Sequence, residues 1–192
     1  MNRTDEVLGT TIQSAHSALV VVDVQQKLLP HMHDAEKVER RVIQAVEVAG
    51  HLNLPIFVTE QYVKGLGPTV SKVKEALARF DAYTPIEKMS FSCFHEPAFV
   101  AALESKEIDT LLLCGIESHI CVLQTALSAL DNEFDVYLIG EAAGSRSKAH
   151  KKEALQRLRQ EGAVVGSVEM FAFEILQTAT HPAFKAVQKV IL

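Results

Sequence analysis

Two short runs without a polar face, Ala18-Leu-Val-Val-Val22 and Thr110-Leu-Leu-Leu-Cys114, constrain this chain more than any other feature. A strand with one wet face alternates apolar and polar residues, so an unbroken aliphatic run marks a strand covered on both sides. Covering both faces takes helices, and the stretches between the runs carry helical spacing. Val42, Ala45, Val46, Ala49 and Leu52 recur at helical steps within 38–52, with Asp34 as the expected cap. The second run stops at Gly115, and an apolar helix is expected from Ser118 to Leu130. Ile56-Phe-Val58, Pro85-Ile-Glu-Lys88, Val136-Tyr-Leu-Ile139 and Val164-Val165 supply further strands. Helices are expected over 147–161 and through Phe171, Phe173, Ile175 and Leu176. This alternation implies an α/β fold: a six-stranded, mostly parallel, Rossmann-like sheet in a three-layer α/β/α sandwich with right-handed crossovers.

No repeat, low-complexity segment or linker divides residues 1–192, so one domain is expected. The net charge is −5 and no Lys/Arg-rich tract forms a stripe, which argues against nucleic acid as a partner. No apolar run approaches the roughly 20 residues that span a bilayer, so no membrane partner is expected. The first residues, through Ala15, include Asn2, Arg3, Thr4, Asp5, Glu6 and Gln13 and lack the apolar stretch of a signal peptide. A cytoplasmic location follows as an expectation. It suits an odd set of three cysteines, Cys93, Cys114 and Cys121, without a CxxC pair.

Sites in such sheets form beyond the carboxyl ends of the strands. Asp23 ends the first strand, Lys88 the third, and Cys121 follows the fourth after Gly115. Taken singly, each has an ordinary reading: a loop hydrogen bonder, a solvated surface lysine, a small residue packed at a helix start. Taken together they bring a base, a cation and a nucleophile to one crevice, the set that covalent acyl transfer needs. With Ser118 as cap, Cys121 falls in the first helical turn. Unpaired N–H groups and the helix dipole there favour a thiolate, so a part-exposed thiol of lowered pKa is expected.

In that order, Asp23-x-Gln25, Lys88 and Gly115-x5-Cys121 resemble the isochorismatase-like hydrolases, a superfamily that includes nicotinamidases and N-carbamoylsarcosine amidases. The resemblance runs from Leu19 to the C-terminus. Within the superfamily the chain is most similar to isochorismatase-domain-containing proteins of unsettled substrate. The similar stretches are Val58-Thr-Glu-Gln-Tyr62, Gly65-Leu-Gly-Pro-Thr69, Gly115-Ile-Glu117, Ser145-Arg-Ser147 and His181-Pro-x-Phe184-Lys185. The resemblance implies that Cys121 attacks a carbonyl carbon, Asp23 takes its proton and Lys88 holds Asp23 ionised. It also implies a cis peptide at Ile116–Glu117, with the amides of Glu117 and Cys121 as the oxyanion hole. Gln25 would line the pocket, and the chain would form a homo-oligomer.

Two departures narrow the reading. Nicotinamidases carry Asp-x-His after the second strand, where this chain has Glu60-Gln61-Tyr62, so neither a metal nor another cofactor is expected. The isochorismatases proper lack the cysteine, so Cys121 argues against the vinyl-ether cleavage that named the family. Glu60 and Gln61 follow the second strand and are expected to face the site. Arg146 is read equally as a binder of a substrate carboxylate and as a solvated loop residue. His119 is read as a substrate contact or a helix-surface histidine, and His31 and His33 as loop polar residues. These readings converge on a metal-independent cysteine hydrolase acting on a small amide, carbamoyl or related acyl substrate. The alternatives are a nicotinamidase-type amidase and a non-catalytic module that binds a metabolite or a protein.

Overall fold

The two apolar runs lie side by side at the centre of the sheet. In the computed structural model, which describes residues 12–192, β1 (Ser17–Val22) is buried throughout. It pairs in parallel with β4 (Thr110–Ile116) on one side and β2 (Ile56–Gln61) on the other. Residues 1–11, most of the segment on which the expectation of no export signal rests, lie outside the described residues. Outward from the centre stand β3 (Pro85–Lys88) at one edge and β5 (Asp135–Gly144) then β6 (Val164–Gly166) at the other. The order is β3-β2-β1-β4-β5-β6 and every pairing is parallel.

Alternate residues of each strand point to opposite faces and seed two cores. Leu19, Val21 and Leu112 pack with α1 (Ala35–His51), and Phe171 of a later helix joins them. Ala18, Val20 and Leu113 pack with Phe99, Leu103, Val122 and Ala126 on the other face. Each fully buried Leu, Val or Phe contributes about 1.5–3 kcal/mol. The remaining helices are α2 (Val63–Leu66), α3 (Ser71–Ala78), α4 (Pro97–Glu104), α5 (Cys121–Asp131), α6 (Lys148–Gln160), α7 (Val168–Leu176) and α8 (Phe184–Ile191). Among the described residues no helix is long and apolar enough to cross a membrane.

Three local expectations need correction. α5 begins at Cys121 with Ile120 in the cap position. Ser118 instead turns both its N–H (2.6 Å) and its hydroxyl (2.9 Å) onto the Gly144 carbonyl, tying the loop to the end of β5. Asp34 does not cap α1: its backbone is left-handed (φ 55°), and its carboxylate pairs with His33 at 3.1 Å. β4 and β5 also run past their apolar centres to Ile116 and Gly144, with a register shift between Leu113 and Gly115.

β1 and β4 are neighbours whose onward connections run to opposite sides of the sheet. Their carboxyl ends therefore open the crevice in which ligands bind in doubly wound sheets. The strands touch closely there. Gly115 has φ +115°, and a Cβ on it would stand 2.1 Å from the Val22 carbonyl oxygen. At Gly162, φ is +103° but nothing lies within 4 Å. Gly115→Ala should therefore cost roughly 3 kcal/mol or more through overlap added to backbone strain, and Gly162→Ala about 1 kcal/mol through strain alone. Urea unfolding of the two variants checks the ranking, and equal losses would show that β1 and β4 can part without penalty.

Cys93 and Cys114 are fully buried in these cores. Burial pushes the Cys93 thiol up to about 11 and raises Cys114 as well. An unfolded thiol ionises near about pH 8.5, so the stability that neutral thiols give is intact below that value and is lost as pH rises through the folded-state values. The unfolding free energy should fall by up to about 1.4 kcal/mol per pH unit per thiol above that point. Urea unfolding on either side of it, repeated with Cys114→Ala, should show a shallower alkaline loss in the variant.

Candidate active site

Asp23 sits just past β1 in a left-handed conformation (φ 51°), which turns its carboxylate inward over the end of β2. The side chain is fully buried. Its Oδ2 accepts from Lys88 Nζ at 2.6 Å and its Oδ1 from Thr59 Oγ1 at 2.8 Å, and Cys121 lies near enough to the carboxylate to alter its proton affinity. Lys88 ends the edge strand β3, two strands away from β1. Its long stem crosses β2 so that the ammonium also donates to Gln61 Oε1 at 2.8 Å and to the Ser90 and Phe91 carbonyls at 3.2 Å. Cys121 opens α5. The structure thus brings Asp23, Lys88 and Cys121 together from three separate chain segments.

A buried ion pair offsets its desolvation cost only when its remaining polar positions are bonded, and removing one partner costs about 3–5 kcal/mol. Here both side chains have 0% exposure, and the ammonium and both carboxylate oxygens are hydrogen-bonded. Burial pushes the Asp23 carboxyl above the ordinary carboxylate range, although Lys88, Thr59 and Cys121 all pull it down. Burial also opposes the charge on Lys88, but Asp23, with Cys121 and Cys93, outweighs it and keeps the ammonium charged.

The thiol departs from expectation. Burial first, and the neighbouring Asp23 charge second, push Cys121 up to about 12 against the pull of Lys88, and the residue is only 7% exposed. The helix start does favour a thiolate, but a dry site and an adjacent carboxylate cost that thiolate more. The resting thiol is therefore neutral beside the Asp23–Lys88 pair. Moving the proton from sulfur to Asp23 leaves the net charge of the three groups unchanged, so the transfer needs no new charge in the dry pocket.

Other expected residues are placed differently. Gln25 is fully buried and its amide is spent on backbone: Nε2 donates to the Gln61 and Gly67 carbonyls (2.9 and 2.6 Å), and Oε1 accepts from the Gln61 N–H (2.8 Å). It clamps the loops after β1 and β2 and leaves no polar atom for a ligand. Glu60 accepts from the Thr69 N–H and hydroxyl (both 2.7 Å) and the Tyr83 hydroxyl (2.9 Å), so it anchors a loop instead of facing the triad. Gln61 does reach the site, where it supports Lys88 and donates to the Met89 carbonyl at 2.7 Å.

The Ile116–Glu117 peptide is cis. The Glu117 carboxylate accepts from Arg146 Nε (3.1 Å) and the Arg146 N–H (3.2 Å), which engages a side chain still 58% exposed. His119 Nδ1 lies 3.0 Å from the Ser145 hydroxyl and its ring is 4.6 Å from that of His150. Among the described residues, the N–H groups of Glu117 and Cys121 have no backbone acceptor. Also among them, no three His, Cys, Asp or Glu side chains gather to hold a metal ion.

Thr59 went unremarked in the sequence because a β-branched residue inside a strand reads as a strand former. Only the pairing of β1 with β2 shows that its hydroxyl fixes the second oxygen of Asp23. Cys93 is a further buried neighbour, accepting from the Thr125 hydroxyl at 3.3 Å. Tyr62, Met89 and Phe91 stand exposed on the loops after β2 and β3.

The chain and its fold have known relatives. The Isochorismatase domain model matches residues 17–170. Isochorismatase domain-containing protein 2A of Mus musculus is 35% identical over 176 residues, 91% of this chain and 82% of the relative. The MAR1 ribonuclease structure from Caenorhabditis elegans superposes with a TM-score of 0.87 at 34% identity, covering 94% of this chain and 91% of that one. The Escherichia coli YcaC gene product, described as an octameric hydrolase of unknown specificity, shares the fold at a TM-score of 0.89 and 24% identity, covering 97% and 91%. With the domain matched over most of its length and a relative one-third identical across nine-tenths of it, this chain belongs to the isochorismatase family of hydrolases.

Proposed function

We propose that this protein is a cysteine hydrolase that opens a small amide, carbamoyl or related acyl compound through a covalent acyl-enzyme on Cys121. The observation that carries the reading is the buried Lys88–Asp23 pair, 2.6 Å apart, with Cys121 beside it at the start of α5. Asp23 takes the thiol proton as sulfur attacks the carbonyl carbon, and the raised affinity of that buried carboxyl for a proton makes it a competent base. The N–H groups of Glu117 and Cys121 receive the developing oxyanion. Collapse expels the amine, which leaves with the proton held on Asp23. Water then attacks the thioester with Asp23 again as base, which releases the acid and restores the thiol. Lys88 keeps Asp23 charged between the two halves, and Gln61 and Thr59 keep both in place.

The reading needs no metal: Glu60 is committed to Thr69 and Tyr83, and Tyr62 stands where the nicotinamidase motif has its histidine. That separates it from a nicotinamidase-type site. A homo-oligomer in a reducing cytoplasm goes with it, the former supported by the octameric YcaC gene product and the latter by three free thiols. The ribonuclease named among the relatives works on a phosphodiester. A thiol aimed by a carboxylate–ammonium pair suits a carbonyl carbon instead, and a net charge of −5 does not gather RNA.

Ammonia release from a panel of small amides, ureido compounds and nicotinamide tests the reading, with a short RNA as a separate arm. Turnover of a non-pyridine amide or ureido compound is expected. Cys121→Ala should abolish it with the fold intact, and Asp23→Asn should lower it by about three orders of magnitude or more. RNA cleavage that survives Cys121→Ala, with the panel silent, would sink the proposal.

Alkylation gives an independent check. Cys121 alone among the three thiols has surface, 7% against 0% for Cys93 and Cys114, so iodoacetamide should label it first. Its rate should show no inflection near about pH 8.5, where a free thiol titrates, because the folded thiol is held up to about 12. Equal labelling of all three would favour a non-catalytic binding module.

A further inference from the structure

Apart from the triad the structure holds a half-open cavity of about 300 Å³, and none of Asp23, Lys88 and Cys121 lines it. It lies by the carboxyl end of β5, between the first turns of α1 and α6. Lys37 of α1 and Lys148 and Lys151 of α6 are among the residues that line it. Among the described residues none of the three is within ion-pair distance of a carboxylate. The two acids on the same walls are engaged elsewhere. Asp34 pairs with His33 at 3.1 Å, and Glu141 pairs with Arg41 at 3.1 Å while accepting from the Val168 N–H at 3.0 Å. Lys151 is partly buried, and that burial, with the like charge of Lys37, holds its ammonium below the ordinary lysine range against the pull of Asp34 and Glu141.

From these three lysines, none of them ion-paired among the described residues, around one half-open cavity, we propose that the cavity binds a phosphoryl group, either as free phosphate or carried on a small metabolite. Like charges that line one space repel one another, as Lys37 and Lys151 do, and a multivalent anion between them relieves that repulsion. A phosphoryl group carries about −1.5 to −2 at neutral pH and offers three acceptor oxygens, which suits three flexible ammonium donors. α6 opens at the same point, with Ser147 as its cap through a hydroxyl that accepts from the Ala149 N–H at 3.1 Å. The loop 145–147 forms one wall of the cavity. Its other contacts are to His119 and Glu117, so the anion is bound beside the candidate active site and apart from the reacting groups.

Isothermal titration of the full chain with inorganic phosphate, at constant ionic strength and near neutral pH, tests the proposal. Saturable binding of one phosphate per chain is expected. Lys37→Met and Lys151→Met should each weaken it about tenfold or more, while Lys152→Met, on the exposed side of α6, should leave it unchanged. Lys148→Gln, at an exposed helix start, gives a second reading should Lys151→Met fail to fold, with circular dichroism reporting the fold. Phosphate affinity no different from that for chloride, or undiminished in the folded Lys37→Met and Lys148→Gln variants, would overturn the proposal. A small phosphorylated compound binding more tightly than free phosphate, with the same lysine dependence, would place the phosphoryl group on a metabolite.

Discussion

The ion pair between Lys88 and Asp23 organises this molecule, because it exists only if three strands are in register. Asp23 must turn inward after β1, Thr59 of β2 must face it, and Lys88 at the end of β3 must stretch across β2 to reach it. Gln61 stands opposite Lys88 in the β2–β3 pairing and accepts from its ammonium. A slip of one residue in either pairing would turn these side chains to the other face and leave two charges buried without partners. The penalty for such a slip is large compared with the whole stability of a domain, so the pair also specifies the sheet that builds it.

The second constraint is the seam between β1 and β4. Both are buried on both faces, and their connections diverge, so a crevice opens where they end. Gly115 lets the two backbones approach at that point, and β4 and β5 then carry the chain on to Ile116 and Gly144. Ser118 holds the following turn to the Gly144 carbonyl, and α5 starts at Cys121. The position of the thiol over Asp23 thus follows from a backbone contact and a hydroxyl bond, neither of which involves the thiol itself.

A dry site changes the proton chemistry. An exposed cysteine at a helix start would be a stable thiolate, whereas here the ionised sulfur would share a desolvated pocket with Asp23. Both groups are displaced toward their protonated forms, and Lys88 supplies the fixed positive charge. A proton moved from sulfur to oxygen within this unit leaves its net charge unchanged. In the proposed reaction, activation belongs to the moment when a carbonyl carbon arrives to accept the sulfur electrons.

Ala18–Val22 and Thr110–Cys114 could be nothing but doubly covered strands, since no other element hides an unbroken aliphatic run of that length on both sides. The alternation of strands and helices followed from this, and so did the carboxyl-end placement of Asp23, Lys88 and Cys121. The short helices α3, α4 and α8 were not legible, because each has eight residues and an apolar face that acquires meaning only against the sheet. Ser118 and Asp34 have the composition of caps, but the Gly144 carbonyl and His33 compete for them from distant or irregular backbone. Gln25 and Glu60 looked like site residues because they follow strand ends. Residue order cannot tell whether a polar atom there meets a ligand or a loop carbonyl. Nor can it sum desolvation: burial and the distance to Asp23 set the thiol's proton affinity, and both quantities come into being only when the strands assemble.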